Sequence, residues 1–327
     1  SWFEDEYLPF QTTITKITGG ATSEDNITVG DKTWINEGDI LLIETTEEMV
    51  YVDSIASAQI DITKIGTGNI TACTTGYLTK IGSYNAEVAG YRSAYSTQEV
   101  EKYNYNTIFS ETVSVSDRVQ SGKKYTHDDE EAYQLKKKMY ELKNQIERNF
   151  KYSVYKGVNS TTNDSRVTLG EGFLSVVTTN KQSYATLSSD VIYDYLADVC
   201  KRGSNKKVHL MGSNHYLDIM NAVKNDSTGN YQIGEKATEY GMNVVKLYNP
   251  HGELKLILDK SMQGKFSNYG FTIDEEHIQV RYQGDDNIGS RKMRTEELPR
   301  TQSKNETKLL SDCSLMVKNE FTHGIIY

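Results

Sequence analysis

Three prolines in 327 residues leave no proline-rich linker, and no low-complexity segment or internal repeat stands in for one. The three cysteines, Cys73, Cys200 and Cys313, are far apart and show no metal-type spacing. That excludes a disulfide framework or a zinc module and fits an intracellular chain. No run of about eighteen apolar residues exists, so no membrane span is expected. The sequence has no basic block and a net charge of -9, which argues against gripping nucleic acid through many phosphates. Ser1-Trp2-Phe3-Glu4-Asp5-Glu6 is not a signal peptide, since no basic region precedes an apolar core. An initiator Met is also missing, as expected for a processed terminus or for residues lying upstream. There is no Gly-x-Ser-x-Gly elbow and no phosphate-binding P-loop. No two of the six histidines, His127, His209, His215, His251, His277 and His323, sit at i, i+4 on a helix.

The sequence has ample length for a core, with 37% apolar and 25% charged residues, and 23 tyrosines. Residues 1 to 10 read as an extended arm or a terminal strand whose aromatics Trp2, Phe3, Tyr7 and Phe10 need cover. Residues 11 to about 90 are β-rich. Ile40-Leu41-Leu42-Ile43, Met49-Val50-Tyr51-Val52 and Gln59-Ile60-Asp61-Ile62-Thr63 are separated by turn signals, the pattern of a small antiparallel barrel or sandwich. Residues 104 to 116 read as a strand pair with Phe109, Val113 and Val115 on one face and Ser110, Thr112 and Ser114 on the other.

Residues 126 to 157 carry the clearest period. Ala132, Leu135, Met139, Leu142, Ile146, Phe150 and Val154 form one helical stripe, with Lys136, Lys137, Lys138 and Lys143 facing away. Thr126 and Asp129 read as a capping pair and Gly157 as the stop, for a helix of roughly 45 Å. Beyond it the chain turns α/β. Helices are expected over Ser189 to Arg202 and from Ser213 to Val223. Strands are expected at His209-Leu210-Met211, Asn243 to Leu247, Leu254 to Leu258, Ile278 to Tyr282, Leu315 to Val317 and Gly324 to Tyr327.

Two acidic clusters invite a metal reading. In His127-Asp128-Asp129-Glu130-Glu131 consecutive helix positions diverge, so a helix cap is the simpler account. Asp285-Asp286-Asn287 with Asp274-Glu275-Glu276 lacks EF-hand spacing and reads as solvated turns. Cys200 falls on the apolar side of its helix and reads as core. No catalytic residue, metal ligand or cofactor is therefore expected, although a hydrolase with a dispersed site would leave no local trace.

The order of elements, together with Asn104-Tyr105-Asn106-Thr107-Ile108-Phe109, Glu111-Thr112-Val113-Ser114-Val115-Ser116, Glu131-Ala132-Tyr133-Gln134-Leu135, Leu298-Pro299-Arg300-Thr301 and Val317-Lys318-Asn319-Glu320, resembles a family. It is similar to the SU10-like major capsid proteins of tailed phages, which carry a β-domain before the long helix of the Hong Kong 97 (HK97) capsid fold. Asn106-Thr107 stands where the family has Thr-Gln, and Ser303-Lys304-Asn305 is less glycine-rich than usual.

The resemblance implies an α+β fold with a 1–10 arm and an extended loop carrying a small β-barrel-like insertion over 11–125. A spine helix and peripheral domain over 126–184, an axial domain over 185–300, and C-terminal strands over 301–327 complete it. It implies self-assembly into hexamers and pentamers of an icosahedral virion capsid, put together in the bacterial cytoplasm. Portal, scaffold or decoration proteins are the implied partners. The shell would enclose double-stranded DNA without sequence-specific binding and without a membrane. Trp2, Phe3, Tyr7, Phe10, Tyr105, Phe109 and Arg118 are the intersubunit contacts expected. The alternatives are an encapsulin-like nanocompartment, which shares the fold, and a β-rich surface or tail protein.

Overall fold

Short strands that alternate apolar and polar residues can bury their apolar side only by pairing around a common interior. The computed structural model describes residues 1–5, 9–17, 23–56, 59–84, 99–122, 129–159, 166–225, 237–239, 242–284, 291–300 and 302–327. The chain divides into two compact units, Phe3–Glu101 and Ser1–Trp2 with Lys102–Tyr327.

Part of the expected arm is strand: β1 (Trp2–Glu4) pairs with β8 (Val100–Lys102) as a two-stranded ribbon. Between them lie β2 (Gln11–Ile17), β3 (Glu24–Val29), β4 (Asp39–Ile43), β5 (Glu48–Ile55), β6 (Ile60–Lys64) and β7 (Tyr77–Ser83). These six close into a barrel in the order β2-β3-β6-β5-β4-β7, every pair antiparallel. Of the barrel and sandwich that the spacing permits, the barrel leaves no strand edge unpaired. Register shifts at Ile14/Lys16, Ile40/Leu41 and Val52/Ser54 supply the extra twist that closure needs. Alternate residues point inward, so Ile14, Ile27, Leu41, Val50, Ile60 and Leu78 fill the interior, none more than 4% exposed. The fully buried Asp39 is neutralised by Lys80 at 2.5 Å and accepts the Asn36 N–H at 2.8 Å.

The second unit begins with β9 (Thr107–Ser116), the short α1 (Asp117–Gln120) and α2 (Glu130–Tyr152). β10 (Gly157–Val158) and β11 (Thr168–Leu169) form a small hairpin-like pair, followed by α3 (Phe173–Val176), β12 (Lys181–Gln182) and α4 (Ser189–Cys200). Then come β13 (Lys206–Met211), α5 (Ser213–Asn225), β14 (Ala237–Glu239), β15 (Met242–Asn249), β16 (Gly252–Leu258) and β17 (Gly270–Ile273). β18 (Ile278–Tyr282), β19 (Arg294–Glu297), β20 (Lys304–Val317) and β21 (Gly324–Ile326) complete the chain. A seven-stranded mixed sheet runs β12-β21-β17-β13-β16-β15-β14. Ile192, Tyr195, Leu196 and Val199 of α4 and Ile219 of α5 share one core with Leu254 and Leu256 of this sheet. A second sheet is built on β20, which pairs with β9 and with β18 and β19, all antiparallel.

The expected strand pair over 104–116 is a single strand, β9, whose partner is the distant β20. Its face split holds: Phe109, Val113 and Val115 are buried while Ser110, Thr112 and Ser114 are exposed. The stripe of α2 lies on this sheet, with Leu142 fully buried against Phe109, Leu309 and Cys313, and Leu135, Met139, Ile146 and Phe150 packed around them. The helix is shorter than 126–157. Asp129 caps it, accepting the Ala132 N–H at 3.2 Å, while Thr126 lies outside the described residues. It ends at Tyr152 because Ser153 turns extended, so Val154 is 69% exposed and Gly157 enters β10. At about 1.5 Å per residue its 23 residues reach about 35 Å. Ala132 is exposed, and Lys138 does not face away but bridges Glu141 at 2.6 Å and Glu111 at 3.4 Å.

Candidate assembly surface

The segment ahead of β9 is positioned by one side chain. Asn104 Nδ2 donates to the carbonyls of Glu171 (2.9 Å) and Leu315 (2.8 Å), and its Oδ1 accepts the N–H groups of Tyr105 (2.9 Å) and Glu171 (2.8 Å). All of its amide capacity is used to join three distant stretches of chain. Beside it Thr107 Oγ1 accepts the Gly170 N–H at 2.9 Å, and Thr168 Oγ1 donates to the Asn106 carbonyl at 2.6 Å. A Cβ on Gly170 would lie 2.4 Å from the Tyr105 carbonyl oxygen, so only glycine fits there. Asn180 ties the end of the chain in the same way, donating to the carbonyls of Phe321 (2.7 Å) and His323 (2.9 Å).

The β20 sheet face opposite α2 borders a groove of about 700 Å³ lined by Trp2, Tyr105, Ile108, Arg281, Asp312 and Met316 among others. Ile108 projects from it with 59% exposure, directly across from Asp312. Burial pushes the Asp312 carboxyl above its ordinary value, against the pull of Arg291 at 3.5 Å. The groove is mixed in character: Trp2, Tyr105, Ile108 and Met316 stand among asparagine, threonine, serine, glutamine and arginine side chains. Among the described residues no three His, Cys, Asp or Glu side chains gather as metal ligands, and no helix is long and apolar enough to cross a membrane.

The expected contact residues fall in different settings. Phe3 and Phe10 are 62% and 56% exposed, Trp2 and Tyr105 are half-buried at the groove, and Arg118 is exposed on α1. Tyr7 lies outside the described residues. Phe109 is only 9% exposed because it packs under α2, so on β9 the exposed apolar residue is its neighbour Ile108. Of the acidic clusters, Asp285-Asp286-Asn287 and His127-Asp128 lie outside the described residues. Asp274 is not a solvated turn residue: it is fully buried with Lys207 at 3.5 Å. Burial opposes its ionisation, but the Ser204 and Glu276 N–H groups hold the Asp274 carboxyl below its ordinary value. The Lys207 ammonium is pushed down by the same burial.

Periodicity also misses a polar cluster inside the seven-stranded sheet. His209 and His215 meet with their Nε2 atoms 3.1 Å apart, although one is on β13 and the other on α5. The only trace in the sequence is two histidines six residues apart astride Gly212.

The model of the SU10 major capsid protein family matches residues 1–327. Among curated proteins none matches the sequence. Among solved structures, the chain is similar to the holo-SrpI encapsulin complex from Synechococcus elongatus PCC 7942. The TM-score is 0.51 with 12% identity, covering 71% of this chain and 75% of that one. It is likewise similar to the capsid of a native GTA particle, with TM-score 0.50 and 12% identity over 75% of this chain and 80% of the other. At such identity the likeness speaks for the fold alone, a mixed α/β architecture similar to HK97-like capsid folds. With its whole length matched and its fold shared with shell proteins, this chain belongs to the SU10 major capsid protein family and is a phage major capsid protein.

Proposed function

We propose that the subunit builds the icosahedral shell of a tailed phage by associating into hexamers and pentamers around packaged double-stranded DNA. The observation that carries this reading is the family match over residues 1–327. Head-to-tail contacts between identical copies close into rings, and rings tile a shell. Exposed apolar side chains such as Phe3, Phe10 and Ile108 are cover for one another only when copies meet. The net charge of -9 suits a wall that lines the genome without holding its phosphates.

In this reading residues 11–125 form the extended loop with its inserted barrel, and 1–10 the arm. Residues 126–184 hold the spine helix and peripheral domain, 185–300 the axial domain, and 301–327 the returning strands. Trp2, Phe3, Tyr7, Phe10, Tyr105 and Arg118 stand as contact residues, with Ile108 replacing Phe109. Assembly takes place in the bacterial cytoplasm with portal, scaffold or decoration proteins, and the subunit performs no catalysis.

The similarity to the SrpI encapsulin favours one second reading, a cellular nanocompartment. Electron microscopy of particles purified from the source, with nuclease-protected nucleic acid extracted from them, separates the two. Shells filled with double-stranded DNA are expected. Shells that hold protein and no DNA establish the nanocompartment, and a protein that remains monomeric at high concentration removes both.

A further inference from the structure

Six polar side chains from separate parts of the second unit form one continuous hydrogen-bonded line. Tyr195 of α4 meets Thr272 of β17, hydroxyl to hydroxyl, at 2.6 Å. Thr272 Oγ1 lies 2.8 Å from His209 Nδ1 on β13, and His209 Nε2 lies 3.1 Å from His215 Nε2 on α5. His215 Nδ1 is 2.7 Å from the Tyr184 hydroxyl, which donates to Asp218 Oδ2 at 3.1 Å. The carboxylate at one end fixes the direction of every proton. Tyr184 gives its proton to Asp218, so it accepts from His215 Nδ1–H. The bare His215 Nε2 then accepts from His209 Nε2–H. His209 Nδ1 in turn accepts from Thr272, and Thr272 accepts from Tyr195. Both imidazoles are neutral and each donor has one acceptor.

We propose that this line is an acid-operated latch, locking α4, α5, β13 and β17 together while both imidazoles are neutral and releasing them when a further proton enters. The geometry gives an added proton no good place. On His215 Nε2 it sets two N–H groups against each other across 3.1 Å. On His209 Nδ1 it turns Thr272 round to donate to Tyr195, whose own proton then loses the Thr272 oxygen as its acceptor. The rings cannot slide apart to make room, because His209 is 2% and His215 1% exposed. They face each other only because residue 270 is glycine: a Cβ there would lie 2.4 Å from His209 Nε2 and 2.7 Å from His215 Nε2.

The surrounding charges do not rescue the protonated state. Asp218 is the charged group bonded to the line, and it is already engaged by Tyr184. Lys207, on the strand that carries His209, and Asp274, just past the end of the strand that carries Thr272, pair with each other. Burial and then the neighbouring His215 hold His209 well below its ordinary 6.5, and burial brings His215 down to about 4. The unfolded chain therefore takes up these protons first. The latch contributes fully above pH 6.5 and is progressively lost as pH falls from there toward about 4. If the subunit forms a shell, every copy carries the same latch, so acid loosens all of them together.

Urea unfolding of the purified full chain between pH 4 and 8 tests this. Wild type is expected to lose up to about tenfold in its folding equilibrium constant per pH unit for each buried histidine in that window. His323, brought to about 4 by burial in a different cluster, gives the control. His323→Asn should keep the contribution of the pair, and the double variant His209→Gln with His215→Gln should remove it. A double variant as steep as wild type overturns the proposal. Should that variant not fold, exchange of the histidine C2 protons followed by mass spectrometry on wild type reads each ring directly. Half-protonation of His209 and His215 below pH 5 supports the latch, and either one near 6.5 overturns it.

Discussion

Asn104 shows how much of this body hangs on single side chains. Its amide satisfies two backbone carbonyls and two N–H groups from stretches that are otherwise unconnected in sequence. Removing it strands those groups, at about 1–3 kcal/mol in total, most of it the desolvation of unpaired partners. Asn104→Ala should lower the denaturant midpoint accordingly, whereas Asn104→Asp, which sets a carboxylate oxygen against the Glu171 and Leu315 carbonyls, should lower it further. A variant as stable as wild type means that water replaces the amide. In the barrel, Glu48 plays a comparable part with charge. Burial works against its ionisation, yet Lys64 at 2.6 Å and the Thr71 N–H and hydroxyl at 3.0 Å hold its carboxyl at about 2. A carboxyl depressed from 4.5 to about 2 stabilises the barrel above pH 4.5, and that contribution is lost as pH falls toward 2. Glu48→Gln should flatten the acid limb of the stability curve in that window, read by tryptophan fluorescence of Trp34 inside the barrel core.

At the scale of elements, the stripe on α2 was legible because helical period is a local property. Leu135, Met139, Leu142, Ile146 and Phe150 all reach the β20 sheet. The ends were less so, since Ser153 turning extended is decided by Gly172 N–H meeting the Ser153 carbonyl at 2.9 Å, a contact that no window of sequence contains. β20 shows the opposite failure. Its C-terminal end reads as a strand, but its first half, Lys304-Asn305-Glu306-Thr307-Lys308, is polar and is strand only because β9 and β19 flank it. The His209–His215 contact was invisible because a strand, a tight turn and a helix bring the two rings together, with Gly270 making the space. Leu142, fully buried where α2 meets Phe109, Leu309 and Cys313, is the site where this element is most exposed to test. Leu142→Ala should cost about 2–5 kcal/mol, the lost transfer energy plus the cavity left between helix and sheet. Asp129→Ala should cost only about 1 kcal/mol, because it removes one cap from a helix held mainly by packing. Equal losses from the two would mean that α2 is not anchored by its stripe.

For the whole molecule the question is which surface serves folding and which serves assembly. The two are separable on β9, where neighbouring residues point to opposite faces. Phe109 is 9% exposed and holds the second unit together, while Ile108, 59% exposed at the groove, touches little of its own chain. Charge on each should therefore fail differently. Phe109→Asp buries an unpaired carboxylate under α2 and should unfold the subunit. Ile108→Asp leaves the monomer folded but costs it about 1 kcal/mol, because the new carboxylate lies directly across the strands from Asp312. If this face meets a neighbouring copy, however, Ile108→Asp places a charge where apolar surface must be covered, and each shell repeats the defect in every subunit. The expected result is a folded protein with a wild-type circular dichroism spectrum and a melting point lowered by only a few degrees, which sediments as free subunits or small oligomers under conditions where wild type forms particles. Normal particles from Ile108→Asp would move the assembly contacts off this groove. The exposed Phe3 and Phe10 would then be the next residues to carry them.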